Sequence, residues 1–308
     1  MTHIATLIAP AGSLNADALA RAGALLPAAA APEWLDPGHA ADLHFTPPSP
    51  VDMRAIADGI RRTLAGMKVD VVVQPAAHRR KGLFVADMDS TMIEQECIDE
   101  LADLVGLKEH VSAITERAMR GEIAFEPALR ERVALLKGLP VSVVDDVIAS
   151  RITLTPGGRT LVNTMRKHGT HTCLVSGGFT LFTHVVADMI GFDETHANIL
   201  LVADGKMTGY VEEPILGREA KLDTLLELAR HLRLPLDKTM ALGDGANDLA
   251  MIERAGLGVA WRAKPAVAAA ADARIDHADL TSLLFVQGYR RADFVEDFTA
   301  PDGPDDNM

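Results

Sequence analysis

The sequence predicts an α/β protein in which a parallel sheet carries a helical insert and follows a small α+β unit. Three short apolar runs, Leu83 to Ala86, Thr172 to Val175 and Thr239 to Leu242, each end in a polar or glycine-rich turn that opens a helical stretch. Between the first two lies a long segment, residues 96–151, that is helical in pattern and lacks a convincing strand. It exceeds a simple crossover, so it reads as a helical cap over a site.

In chain order, residues 2–9 form a strand pattern, and Leu14 to Leu26 is an alanine-rich helical pattern stopped by Pro27. An Ala- and Pro-rich linker follows. Met53, Ile56, Ile60 and Leu64 recur at helical spacing, and Val69 to Val73 is a β-branched run. These define a first domain over residues 1–76. Residues 77–82, which include His78, Arg79, Arg80 and Lys81, read as a solvated basic linker. The main domain covers residues 83–290, and residues 291–308, acidic and containing Pro301 and Pro304, are expected to be a disordered tail.

Composition narrows the class. A chain of 308 residues with 48% hydrophobic content can bury a core without staples. Its two cysteines, Cys97 and Cys173, are far apart, which fits a reduced, cytoplasmic setting. A formal charge of -13 repels nucleic acid, and no apolar stretch approaches the roughly 20 residues needed to span a bilayer. Neither HExxH nor Cys/His ligand spacing occurs, so zinc is not expected among the eleven histidines.

Ligands of open α/β sheets bind at the carboxyl ends of the strands, where three polar clusters fall here. Asp87-Met88-Asp89-Ser90-Thr91 places two carboxylates at spacing i, i+2, so one can attack while the other handles protons. Their repulsion calls for a cation such as Mg2+. Val175-Ser176-Gly177-Gly178-Phe179 offers a hydroxyl and permissive glycines at the expected start of a helix, where N–H groups suit a phosphate. Gly243-Asp244-Gly245-Ala246-Asn247-Asp248 supplies oxygen donors for a hard cation. Lys221 stands between the last two clusters. Singly, each is as readily a turn, a helix cap or a solvated lysine.

In this order the residues resemble the haloacid-dehalogenase-like (HAD) superfamily over about residues 82–290, and within it the phosphoserine phosphatases. The narrower likeness lies in Glu94-Gln95-Glu96-Cys97-Ile98-Asp99-Glu100 and in Phe125-Glu126-Pro127-Ala128-Leu129-Arg130-Glu131-Arg132-Val133. The resemblance implies a Rossmannoid parallel sheet and hydrolysis of O-phospho-serine to serine and phosphate through an aspartyl-phosphate, the last step of serine biosynthesis. It makes Asp87 the nucleophile and Asp89 the general acid and base. Mg2+ would sit on Asp87, the Asp89 carbonyl and Asp244. Ser176, Gly177, Lys221 and Asn247 would hold the phosphate, with Asp248 supporting. Glu96 would meet the substrate ammonium, Arg132 its carboxylate, and Phe125 would close the site.

Residues 1–76 resemble a degenerate ACT-type regulatory domain, which implies pairing into a homodimer. Two other readings remain at this point: a phosphatase or phosphotransferase for another small amino-acid phosphate such as homoserine phosphate, and a non-catalytic amino-acid sensor. The second would leave degraded catalytic motifs, which the sequence does not have.

Overall fold

The computed structural model describes residues 1–120 and 122–296. Its first unit runs β1 (His3–Ile8), α1 (Ala16–Gly23), β2 (Glu33–Asp36), β3 (Ala40–Phe45), α2 (Met53–Thr63) and β4 (Asp70–Pro75). The strands form an antiparallel sheet in the order β2-β3-β1-β4, the split β-α-β arrangement. Asn15 and Asp52 start the two helices by accepting the N–H of Ala18 and Ala55, and the helices pack Leu19, Ala22, Ala57 and Ile60 onto the sheet. The stretch read as an Ala/Pro linker in fact holds β2 and β3. Alanine and aspartate are poor strand formers, and β3 (Ala-Ala-Asp-Leu-His-Phe) is held by its two neighbours rather than by propensity.

The main unit begins with β5 (Leu83–Ala86), then four helices of the insert: α3 (Cys97–Asp103), α4 (Lys108–Met119), α5 (Phe125–Ala134) and α6 (Val143–Arg151). The chain continues through α7 (Gly158–Lys167), β6 (His171–Phe179), α8 (Thr180–Ile190), β7 (Glu194–Asn198), and a hairpin of β8 (Leu200–Ala203) and β9 (Lys206–Val211). It ends with α9 (Arg218–His231), β10 (Thr239–Gly243), α10 (Leu249–Arg254), β11 (Leu257–Trp261), α11 (Pro265–Ala270), β12 (Ala273–Ile275) and α12 (Ser282–Val286). The parallel sheet has the order β12-β11-β10-β5-β6-β7. From β5 the chain winds one way through β6 and β7, then returns to β10 on the other side. The crevice at the carboxyl ends of β5, β6 and β10 is therefore a topological switch point.

One difference bears on the site. The turn expected to begin a helix at Ser176 is instead the last part of β6, which runs through an irregularity between Val175 and Phe179 before α8 begins at Thr180. The glycines thus present strand-like backbone to the crevice.

The basic segment 77–82 is not solvated throughout. Arg79 forks onto Asp42, with Nη1 and Nη2 donating to its two carboxylate oxygens at 2.6 and 2.8 Å, and it also donates to the carbonyls of Phe285 and Val286. Lys81 is buried and donates to the Asp237 carbonyl; burial lowers its pKa to about 8, against the pull of Asp237. Asp70 of β4 accepts the N–H groups of Asp276, His277 and Ala278. The two units are thereby joined by a buried polar seam, since each group in it would otherwise be desolvated without a partner. Residues 291–296 also join the fold: the Glu296 carbonyl accepts from Asn163 and its carboxylate from Thr160. The rest of the acidic tail, 297–308, lies outside the described residues. Among the described residues no helix is long and apolar enough to cross a membrane.

Candidate active site

β5 ends at Ala86, and Asp87 emerges beside a wide turn over Met88–Met92. Within that turn Ser90 adopts a left-handed conformation, φ 56°, unusual for a residue with a side chain and a mark of functional sites. It turns the Ser90 hydroxyl onto Glu96, to which it donates at 2.6 Å. Asp89 is held at both oxygens: the Cys97 N–H donates to Oδ1 at 2.9 Å and the Ser176 hydroxyl to Oδ2 at 3.0 Å.

Lys221, on the first turn of α9, is fully buried and donates to Asp87 Oδ1 at 2.5 Å and Asp248 Oδ1 at 2.7 Å. Burial works against its ammonium, but the two carboxylates outweigh that cost and hold its pKa above the ordinary value. The other oxygen of Asp248 accepts the N–H groups of Asp244 and Gly245 at 3.2 and 3.0 Å. This fold-back needs glycine at 243, where a Cβ would lie 2.4 Å from the Asp248 carboxyl carbon.

The carboxylate oxygens of Asp87, Asp244 and Asp248 all lie within 4.8 Å of one another. Burial and then the Asp248 charge raise the pKa of Asp244 to about 7, and the same two causes raise Asp87 well above the carboxylate range despite Lys221. Such crowding of hard oxygen donors fits a divalent cation, which relieves the repulsion. Asp248 spends both oxygens on Lys221 and backbone N–H groups, so Asp87 and Asp244 are the side chains best placed to ligate. The Thr91 hydroxyl steadies Asp244 at 3.2 Å.

Above this nest is a cavity of about 250 Å³, below the range of about 300–1,000 Å³ for drug-sized ligands and suited to a small molecule. Of the predicted residues, Asp87, Asp89, Glu96, Phe125, Arg132, Gly177 and Asn247 line it. Ser176, Lys221, Asp244 and Asp248 stand immediately behind that lining, bonded to it or to each other. Helices α3 to α5 of the insert supply the far wall. There Arg132 is buried, with Nε donating to the Ala128 carbonyl and Nη1 to the Thr115 hydroxyl at 2.8 Å. Burial depresses its pKa, opposed by Glu96. Glu96 is pushed the other way, well up, by burial and then by Asp89.

The matching family model, haloacid dehalogenase-like hydrolase, covers residues 84–253. The phosphoserine phosphatase of Archaeoglobus fulgidus is 43% identical over 76% of this chain and 69% of its own length. The chain belongs to the phosphoserine phosphatase family of haloacid dehalogenase-like hydrolases. A structure titled as a phospho-aspartyl intermediate analogue of phosphoserine phosphatase is 41% identical, with a TM-score of 0.64, over 67% of this chain and 98% of that one. A probable phosphoserine phosphatase from Vibrio cholerae is 31% identical, with a TM-score of 0.73, over 95% of this chain and 88% of its own, and so extends the likeness into the first unit. The chain spans 60% of the length of two further relatives named as phosphoserine phosphatases, from Streptomyces coelicolor and Mycobacterium tuberculosis.

Within this family site several contributors carry no sequence signal of their own. Thr115 accepts from Arg132 and donates to Asp99 Oδ1 at 2.9 Å, and Ser112 donates to the other oxygen at 2.6 Å. Asn198 donates to the carbonyls of Gly177 and Leu216 and accepts the Leu216 N–H, tying the glycine turn of β6 to the entrance of α9. Arg218 lines the cavity from the start of α9. Ser90 and Thr91, which follow the Asp-x-Asp pair, and Asp99, in the segment Glu94 to Glu100, were within reach of sequence reasoning.

Proposed function

We propose that the protein hydrolyses O-phospho-serine to serine and inorganic phosphate through a phosphoryl group carried on Asp87. The observation that carries this reading is the polarity of one small cavity. Its floor is a carboxylate held by a buried lysine, and its far wall pairs a half-buried acid, Glu96, with a buried guanidinium, Arg132. A phosphorylated amino acid has the three complementary groups: phosphate, ammonium and carboxylate.

Asp87 attacks phosphorus, its Oδ forming the acyl phosphate as the bond to the serine oxygen breaks. Asp89, oriented by Ser176 and the Cys97 N–H, gives a proton to that departing oxygen. It then takes one from the water that cleaves the acyl phosphate, so one group serves both steps. Lys221 keeps Asp87 aimed and offsets negative charge on the transferring group. Asn247, whose side-chain oxygen is buried without a hydrogen-bond partner, can turn its amide onto a phosphate oxygen. Mg2+ would be held by Asp87, the Asp89 carbonyl and Asp244, and when bound it supplies charge neutralisation for the phosphoryl group.

The test is phosphate release from phosphoserine with and without Mg2+, in the original chain and in Asp87→Asn. Release should require the ion and vanish in the variant. Acid-quenched chain should retain radiolabel from phosphoserine only when Asp87 is present. Full turnover by Asp87→Asn would remove the nucleophile assignment. Residues 1–76 we read as an ACT-like regulatory unit; calorimetric titration of the whole chain with serine tests that role, and absence of heat outside the catalytic cavity would remove it.

A further inference from the structure

His171-Thr172-Cys173 and Glu194-Thr195-His196 share a pattern in which two potential metal ligands are separated by threonine. Neither segment matches a familiar ligand spacing. The sheet supplies the missing relation: β6 and β7 run parallel with Cys173 opposite Glu194 and Val175 opposite His196. Side chains alternate between the faces of a strand, so all four side chains stand on one face of two neighbouring strands.

The Cys173 sulfur, a Glu194 carboxylate oxygen and a His196 ring nitrogen lie within 4.8 Å of one another. His171 Nε2 lies 3.1 Å from Glu194 Oε1, a hydrogen bond that holds the carboxylate beside the other two groups. We propose that Cys173, Glu194 and His196 form a second metal site, for a borderline-soft divalent ion such as Zn2+, that staples edge strand β7 to β6, with His171 holding Glu194 in place.

The donor set separates this site from the catalytic nest. One thiolate, one imidazole and one carboxylate favour Zn2+, whereas Asp87 and Asp244 offer only hard oxygens. Access is graded: Cys173 is buried, Glu194 and His171 are half-buried, and His196 is exposed at the open edge of the sheet, where an ion can enter. Asp193 is not available as a ligand, because Thr172 takes one oxygen and Arg166 the other. Without an ion, burial and then Glu194 keep the Cys173 thiol protonated, its pKa raised; binding exchanges that proton for the metal.

The experiment uses the full chain, stripped with chelator, in excess Mg2+ to fill the oxygen nest, with Co2+ as the probe. A thiolate bound to Co2+ gives charge-transfer absorption in the near ultraviolet, which an all-oxygen site cannot. One equivalent should produce the band, Zn2+ should displace it, Cys173→Ala should abolish it, and His196→Ala should weaken Co2+ binding at least about tenfold. His196 lies outside the catalytic machinery and is exposed, so unchanged phosphatase turnover certifies the fold of that variant. Cys97→Ala should retain the band. No band at stoichiometric Co2+, a band that survives Cys173→Ala, Co2+ binding by His196→Ala as tight as by the original chain, or a band lost in Cys97→Ala would overturn the proposal.

Discussion

Replacing Arg132 by Met removes the guanidinium while keeping a flexible apolar stem, and its consequence for substrate choice can be worked from the bonds present. Of five N–H groups, Nε–H is spent on the Ala128 carbonyl and one Nη1–H on Thr115. Three remain, enough for two parallel bonds to a carboxylate. Hydrogen bonds to charged groups contribute about 1.5–3 kcal/mol each, so the pair is worth about 3–6 kcal/mol, or about 10²–10⁴ in kcat/KM. The assay compares kcat/KM for phosphoserine and phosphoethanolamine, which lacks only the carboxylate. The original chain should prefer phosphoserine by that factor, and Arg132→Met should bring the ratio to within about tenfold of unity. Arg132→Lys should fall between, keeping charge but not the fork. Folding should survive, because Asp99 keeps Ser112 and Thr115 and its pKa is already raised, with burial the main cause. Equal losses on both substrates would refute the clamp and leave Arg132 a packing residue.

Three further outcomes are expected. Gly177→Ala would put a Cβ 2.7 Å from Phe125 Cζ, and the displaced ring should cost about 1–3 kcal/mol of kcat/KM, partly restored by adding Phe125→Leu; steady-state kinetics of both variants decide it. In chelator, Asp244 has a folded pKa of about 7 against about 3.9 unfolded, so between those values the native chain holds more protons. Its stability should therefore fall as pH rises through that window, by up to about 1.4 kcal/mol per unit, and Mg2+ should flatten the trend in urea midpoints; greater stability at about pH 8 than at about pH 5 in chelator would contradict it. Arg79→Leu leaves Asp42 buried with Thr6 as its remaining side-chain partner, which should cost about 3–5 kcal/mol and separate the two units into distinct calorimetric transitions while turnover per folded molecule persists.

Much of the site was legible because a parallel sheet collects chemistry by rule: whatever follows β5, β6 and β10 must meet at one crevice. Asp87, Asp89, Asp244, Asn247 and Asp248 follow β5 and β10, and Ser176 and Gly177 occupy the last part of β6. Phe125 and Arg132, two helical turns apart on α5, were legible as a pair on one face. What escaped was anything fixed by contact between distant elements. Asp99 on α3 and Thr115 on α4 buttress Arg132 on α5, and no periodicity links them. Arg79 reads as a surface charge until Asp42 of β3 is placed beside it. β3 itself was hidden by its alanines.

The charges around the cavity do not sum to a phosphate trap, and this constrains how the site must work. Asp87, Asp89, Glu96, Asp244 and Asp248 outnumber Lys221, Arg132 and Arg218, and Lys221 is consumed by Asp87 and Asp248. A phosphate ester therefore approaches a floor that is net acidic unless a cation is present, although Asp244, its pKa raised to about 7, can hold a proton near neutrality and burial raises the pKa of Glu96. The same arrangement explains why the lysine is buried rather than exposed. A free ammonium at the cavity surface would bind product phosphate as well as substrate, whereas in the proposed mechanism one locked between two carboxylates changes partner only when Asp87 becomes an acyl phosphate and gives up its own charge. The attraction of Lys221 for the phosphoryl oxygens should accordingly be greatest in the intermediate and the transition states flanking it. Loss of Lys221 should then lower kcat far more than it raises KM.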